Sequence, residues 1–272
     1  MRRIVLSVLM CLVAITAVAQ HNVVVKYDVG HNYGKEMVLI ANHQGSLYFN
    51  PMSQYVDSCE STPEGKAKLR EIQLKAWRVV QPDGTVTFDG RKLGLAPEKH
   101  IYLYVEKSAQ DEVLTVYDYK AAGLFRYTEP IDDIKWEIVE DSTKNLLDYP
   151  CLMASSTYHG RTWSVWFTPE IPIQDGPWKL RGLPGLILKA DGGDGFTMEA
   201  TDLGVTTQSV PSVYSINNYE KGERRKILTD HEYFINNEES IMAAQGIKMN
   251  ADGSPANLPK YDRQHQAWET DY

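Results

Sequence analysis

Twelve short runs of β-branched and aromatic residues constrain this chain more than any other feature: residues 22–29, 37–41, 46–50, 85–88, 101–106, 113–119, 124–128, 134–139, 153–158, 162–167, 186–189 and 196–200. Runs of that length and composition suit a pleated, half-buried surface and predict strands. Connections rich in Gly, Asp, Asn and Pro separate many of them, as in antiparallel meanders. Long helices do not alternate with the runs, which disfavours a doubly wound parallel sheet. The expected class is α+β, mostly β.

Helical signals are few. Thr62-Pro63-Glu64 combines a capping threonine, a proline suited to the first helical position and an acid in the first turn. Leu69, Ile72, Leu74 and Trp77 follow at roughly helical spacing, and Pro82-Asp83-Gly84 ends the segment in a turn. Near the other end, Thr229 and Glu232 fit a capping box that opens a helix to about Ala244, stopped by Gly246. Residues 250–259 are polar and turn-rich, and are expected to form a loose or docked tail.

Three turns tie the central strands together. His159-Gly160 can join 153–158 to 162–167, and Asp191-Gly192-Gly193-Asp194-Gly195 can reverse 186–190 into 196–200. Leu183-Pro184-Gly185-Leu186 places proline and glycine at the centre of a type II turn, with positive φ expected at Gly185. Residues 134–203 therefore read as one nearly continuous antiparallel sheet.

The chain opens with a basic pair, Arg2-Arg3, an apolar stretch over residues 4–13 and the small-residue pattern Ala17-Val18-Ala19. This reads as a signal peptide spanning 1–19 and predicts a periplasmic or secreted protein. Val8-Leu9-Met10 lack the small residue expected before a lipidated Cys11. The apolar stretch is short for a membrane span, and no later segment approaches the required length. Removing 1–19 takes two arginines and no acid, which moves the formal charge from -8 to -10. An acidic chain without a basic stripe is a poor nucleic-acid binder. Cys59 and Cys151 remain, and in an oxidising compartment they leave two outcomes open, one disulfide or two buried thiols.

No catalytic set emerges from the motifs. There is no G-x-S-x-G elbow, and His231-Glu232 is followed by Tyr233-Phe234-Ile235 where a zinc protease would place its second histidine. His159 reads as a turn residue without the partners of a general base, and Cys151 as a buried thiol or disulfide half. Asp191 to Asp194 lack the ligand series of an EF-hand. No metal or other cofactor is expected. Glu129, Asp132, Asp133 and Glu137 are candidates for paired carboxylates of a glycoside hydrolase, although as strand-edge acids they fit a solvated face better. The aromatic excess is more informative. Trp163 and Trp166 lie three apart and face opposite sides of a strand, so one enters the core and the other is available to a concave surface. Tyr102 with Tyr104, and Tyr117 with Tyr119, fit cross-strand packing. Ligand-binding candidates are Arg161, Trp163, Trp166, Trp178 and Arg181, the arginines as anchors for an anionic group.

The stretch GRTWSVWFTPEIPIQDGPWKLRGLPGLILKA, within residues 151–190, carries Gly182-Leu183-Pro184-Gly185-Leu186-Ile187. It resembles the signature of the GLPGLI family, exported proteins common in Bacteroidota whose biochemical role is largely uncharacterised. DYKAAGLFRYTEP and IKWEIVEDSTKNLLDYPC resemble that family's central strands, so the match covers about residues 113–203. The resemblance implies a strongly curved antiparallel sheet, an open barrel or bowl with a few covering helices, similar to a bowl-like domain appended to some secreted glycan-processing enzymes. On this reading 20–210 form the curved β domain, and 211–272 form a helical and irregular extension packed on it. Two functions stay open: a non-catalytic binding, carrier or assembly module of the cell envelope, and a periplasmic hydrolase of glycan or peptide using carboxylates assembled by the fold. The partners considered are a lipid, a peptide, a glycan or an envelope protein.

Overall fold

The computed structural model describes residues 22–30, 36–89, 95–120, 123–244 and 268–272. The N-terminal leader, Cys11, Gly246 and the 250–259 tail lie outside the described residues. The first strands are β1 (Asn22–Val29), β2 (Glu36–Ala41) and β3 (Gly45–Phe49), followed by helices α1 (Pro51–Glu60) and α2 (Pro63–Trp77). A ribbon of β4 (Arg78–Val80) and β5 (Val86–Phe88) comes next, then β6 (Tyr104–Ser108), β7 (Val113–Lys120) and β8 (Gly123–Pro130). The chain continues through β9 (Glu137–Leu146), β10 (Tyr149–Tyr158), β11 (Arg161–Thr168), β12 (Leu186–Asp191) and β13 (Thr197–Thr206), then a two-residue strand β14 (Glu220–Lys221) and α3 (Arg224–Ala244). Among the described residues no helix is long and apolar enough to cross a membrane.

Twelve strands form one sheet in the order β14-β8-β7-β6-β3-β2-β1-β13-β12-β11-β10-β9. Two meanders are thus joined where β1 pairs with β13, and every pairing is antiparallel except β14 with β8. The connectivity forces the sheet to curl. Ten strand spacings separate β8 from β9, which in a flat sheet would be about 48 Å. The chain covers that gap in seven peptide steps, from Pro130 to Glu137, which reach at most about 25 Å. The sheet bends until its two ends approach, without closing into a barrel. This matches the expected mostly-β, strongly curved architecture.

The large core lies inside the curl, where Val25, Tyr27, Leu39, Val105, Trp163 and Leu188 are buried. Their alternation with outward residues is the period-two pattern of a half-buried strand. A smaller cluster on the outer face joins Val38, Ile40, Leu47, Phe49, Tyr104 and Tyr117 to Val213 and Tyr219. Tyr104 lies opposite Tyr117 on β7, and Tyr102 stacks on Tyr119 at 5.4 Å, the cross-strand packing that the sequence suggested.

Local syntax accounts for most of the elements. Thr62 caps α2 by accepting the Gly65 N–H at 3.0 Å, with Pro63 in the first turn; such a cap contributes about 1 kcal/mol. Asn50 and Pro51 use the same device to start α1, a helix that the strand-like run 46–50 concealed. The run 85–88 pairs only with β4 and leaves the main sheet. The capping box at Thr229 is not formed, because α3 already begins at Arg224 and Thr229 lies inside it.

The signature turn also differs from expectation. Gly185 has no positive φ; the left-handed residue is Gly182, at φ 92°. The Gly185 N–H donates to the Leu183 carbonyl at 2.7 Å, a tighter turn centred on Pro184. Glycine is required at 185 for a different reason: a Cβ there would collide with the carbonyl of Thr168 and the Cα of Pro169. The segment is folding syntax, acting through close backbone approach.

Candidate binding site

The β10–β11 hairpin is a two-residue turn in which His159 (φ 50°) and Gly160 (φ 78°) are both left-handed, as a type I′ hairpin requires. Gly160 also makes room for a neighbour, since a Cβ there would collide with Thr270. Residues 268–272 dock here, with the Thr270 N–H donating to the His159 carbonyl at 3.0 Å.

Beneath this docked segment lies a buried network of charges. Lys179 is wholly buried, and its ammonium stands 2.5 Å from Glu129 and 2.8 Å from Glu269. His159 Nε2 is 3.4 Å from Glu129, and its Nδ1 is 3.2 Å from Asp271. Arg224, the first residue of α3, bonds both Glu269 and Asp271. The Tyr127 hydroxyl donates to Glu269 at 2.8 Å. In a flat sheet, β8 and the β10–β11 turn would lie far apart; the curl brings Glu129 against His159.

Burial opposes charge on all three acids, yet their neighbours prevail. His159 and Lys179 hold Glu129 below the ordinary carboxylate range. Lys179, His159 and Arg224 do the same for Glu269, and Arg224 and His159 for Asp271. Burial, reinforced by Glu269 and Glu129, pushes the Tyr127 phenol well above its ordinary value. His159, Glu269 and Asp271 have the atom spacing of a metal site. Arg224 already bonds both carboxylates, so the two acids take part in a salt-bridge network.

Aromatic rings stack beside the charges. Trp178 lies 5.5 Å from both Trp163 and Trp268, and Trp268 meets Phe196 edge-on at 4.8 Å. Trp178 is itself left-handed, at φ 52°. That conformation is strained for a bulky side chain and persists only where the surroundings over-determine it. Stacking of the indole between Trp163 and Trp268 supplies that constraint.

Between this layer and α3 is a cavity of about 270 Å³. On β7 the cavity side is formed by Val116, Asp118 and Lys120, alternate residues of one strand face, and Tyr127 lies directly opposite Val116 on β8. On α3 it is formed by Leu228, His231, Glu232, Ile235 and Asn236, which recur at the spacing of one helical face. Trp178, Trp268, Glu269 and Tyr272 close the remaining side.

A family model described as a protein of unknown function (Porph_ging) matches residues 156–189. That segment runs from the end of β10 to β12 and includes His159, Trp163, Trp178, Lys179 and the GLPGLI stretch. No curated protein matches the sequence. Among solved structures, the fold is similar to that of PNGF-II in a P21 crystal, with a TM-score of 0.50 and 13% identity over 78% of this chain and 33% of that one. PNGF-II in a C2 crystal gives a TM-score of 0.47 at 13% identity, with the same coverage of 78% and 33%. The chain thus spans about a third of the length of those neighbours, and the likeness is one of fold.

Of the five binding candidates drawn from sequence, only Trp178 lines the cavity. Trp163 is fully buried behind it. Trp166 is half-buried on the opposite face, with the Lys144 and Lys189 ammoniums 5.6 and 5.8 Å from its ring. Arg161 donates to the Gly192 carbonyl at 3.2 Å and lies over Phe196. The Arg181 carbonyl accepts from the Trp136 indole at 2.8 Å. Cys59, in α1, and Cys151, in β10, are free thiols, so the disulfide that their even number allowed is not formed. Of the four candidate acids only Glu129 enters the network; Asp132, Asp133 and Glu137 are exposed.

The residues that sequence reading missed are Tyr127, Lys179, Arg224, Trp268 and Glu269. Two signals pointed to them: a lysine set between Trp178 and Leu180 in an otherwise apolar stretch, and a tryptophan in a polar tail.

Proposed function

We propose that this protein is a non-catalytic binding module of the cell envelope, a GLPGLI-type protein exported by its N-terminal segment, with its ligand in the cavity under α3. In this reading residues 20–210 are the scaffold and 211–272 the cover. The observation that carries the proposal is the cavity itself, walled by Tyr127, Trp178, Trp268 and Tyr272 with a few convergent polar groups. Ligand sites have this composition. Its volume is slightly below the ~300–1,000 Å³ common for such sites, which suits a single ring-sized group or the end of a longer lipid, peptide or glycan.

The hydrolase reading receives less support. A glycosidase acid must keep its proton near neutral pH, which requires a raised pKa. Glu129 is held low by His159 and Lys179, and Glu269 by Lys179, His159 and Arg224. Native mass spectrometry of the protein from its own compartment, followed by denaturing analysis, tests the proposal. The expected result is a bound small molecule released on denaturation and lost in Trp268→Ala. Turnover of a glycan or peptide, abolished in Glu129→Gln without loss of folding, would overturn it.

A further inference from the structure

We infer that the cavity under α3 selects a protonated amine carried on an apolar, ring-sized body. The inference rests on the binding reading above and gives that site its ligand chemistry. Aromatic rings attract cations through the negative potential of their faces. Four rings from three parts of the chain meet at this cavity: Tyr127 from β8, Trp178 from the turn before the signature, and Trp268 and Tyr272 from the docked segment.

The surrounding charges have the matching sign. Asp118, Glu232 and Glu269 line the cavity, against a single lining cation of fixed charge, Lys120. Lys120 is held by Asp118 at 3.0 Å. Behind the wall, Lys179, Arg224 and His159 are shared among Glu129, Glu269 and Asp271, so the acidic bias of the lining is carried by Glu232. This exposed carboxylate lies on the α3 face between Leu228 and Ile235. Its field reaches the docked segment: the Tyr272 phenol is raised first by burial, then by Glu232 and Glu269. An anion entering this site would meet repulsion. A neutral ligand would leave the acidic bias unanswered, whereas an ammonium answers it.

The apolar requirement comes from the rest of the lining. Val116, Leu228 and Ile235 also border the cavity, and a fully hydrated cation would leave them wet. A primary amine on one ring satisfies both halves of a cavity of about 270 Å³.

Calorimetric titration with phenethylamine and with phenethyl alcohol, its neutral counterpart, separates the charge inference from the binding reading. At neutral pH and low salt the amine is expected to bind roughly tenfold more tightly than the alcohol, and added salt should weaken only the amine. Glu232→Gln, an exposed helix position, should remove most of that difference, through weaker binding of the amine. Alcohol binding as tight as the amine would overturn the charge inference and leave the binding reading standing. Failure of both compounds to bind the folded protein would count against both.

Discussion

Two buried ammoniums sit inside the curl and serve different ends. Lys107, on β6, bonds Asp175 and donates to the carbonyls of Gly176 at 2.8 Å and Leu180 at 3.5 Å. Each of those partners belongs to the segment that leads into the signature, so this lysine pins that segment to the sheet. Burial holds Lys107 below the ordinary lysine range, despite the pull of Asp175. Lys179, four residues beyond Asp175, is shared instead between Glu129 and Glu269, both of which keep a second partner in Arg224 or His159. A pin with one carboxylate is brittle. A network with several cations tolerates loss, and the Lys179 network borders a cavity that the Lys107 pair does not touch.

Removing each lysine breaks or sharpens that contrast. Lys107→Met leaves a buried carboxylate without its cation and should cost about 3–5 kcal/mol, read from urea unfolding. Lys179→Met should cost less, about 1–3 kcal/mol, because lost buried partners are compensated where others remain. Equal losses would mean that the redundancy of the second site has no energetic content.

The glycines of the signature give the next largest effects. Gly185→Ala drives a Cβ into the Thr168 backbone and should destabilise by roughly 1–3 kcal/mol. Gly182→Ala meets nothing closer than the Trp136 indole at 3.9 Å, so its cost is the left-handed conformation alone, about 1–2 kcal/mol. If the two losses reverse in order, close approach is not what Gly185 provides.

Acid provides the gentlest test. The folded pKa values of Glu129, Glu269 and Asp271 lie below their ordinary values of 4.5, 4.5 and 3.8. Stability from these groups is therefore fully present above that range and lost as pH falls through the lower folded values. Unfolding midpoints should drop on acidification below about pH 4, and Asp271→Asn should flatten that limb. An unchanged limb would show that the docked segment contributes nothing to it.

Much of the fold was legible in the chain because its causes are local. Each of the twelve runs contributes to a strand, although 101–103 and 134–136 lie outside β6 and β9 and 85–88 joins a separate ribbon. Thr62-Pro63 starts a helix, and His159-Gly160 and residues 191–195 make hairpins, with Asp194 and two neighbouring glycines left-handed. α1 was missed although Asn50-Pro51 carry the same capping device, since the preceding run reads as strand up to the cap itself. α3 was placed five residues late. Ile227 and Leu228 are buried, and the packing of that first turn outweighs the capping preference of Thr229.

What the sequence determined by itself was most of the strands, most of their turns and the acidic, aromatic character of the chain, because strand period, capping and turn chemistry act over a few residues. Only the tertiary structure decided that Glu129, His159, Lys179, Arg224 and Glu269 share one site. No local interaction links residues so far apart in the chain. They meet because a six-residue link between β8 and β9 requires a twelve-stranded sheet to curl, and because residues 268–272 return across the β10–β11 turn. The ends of the sheet had to approach before any of those charges could find one another.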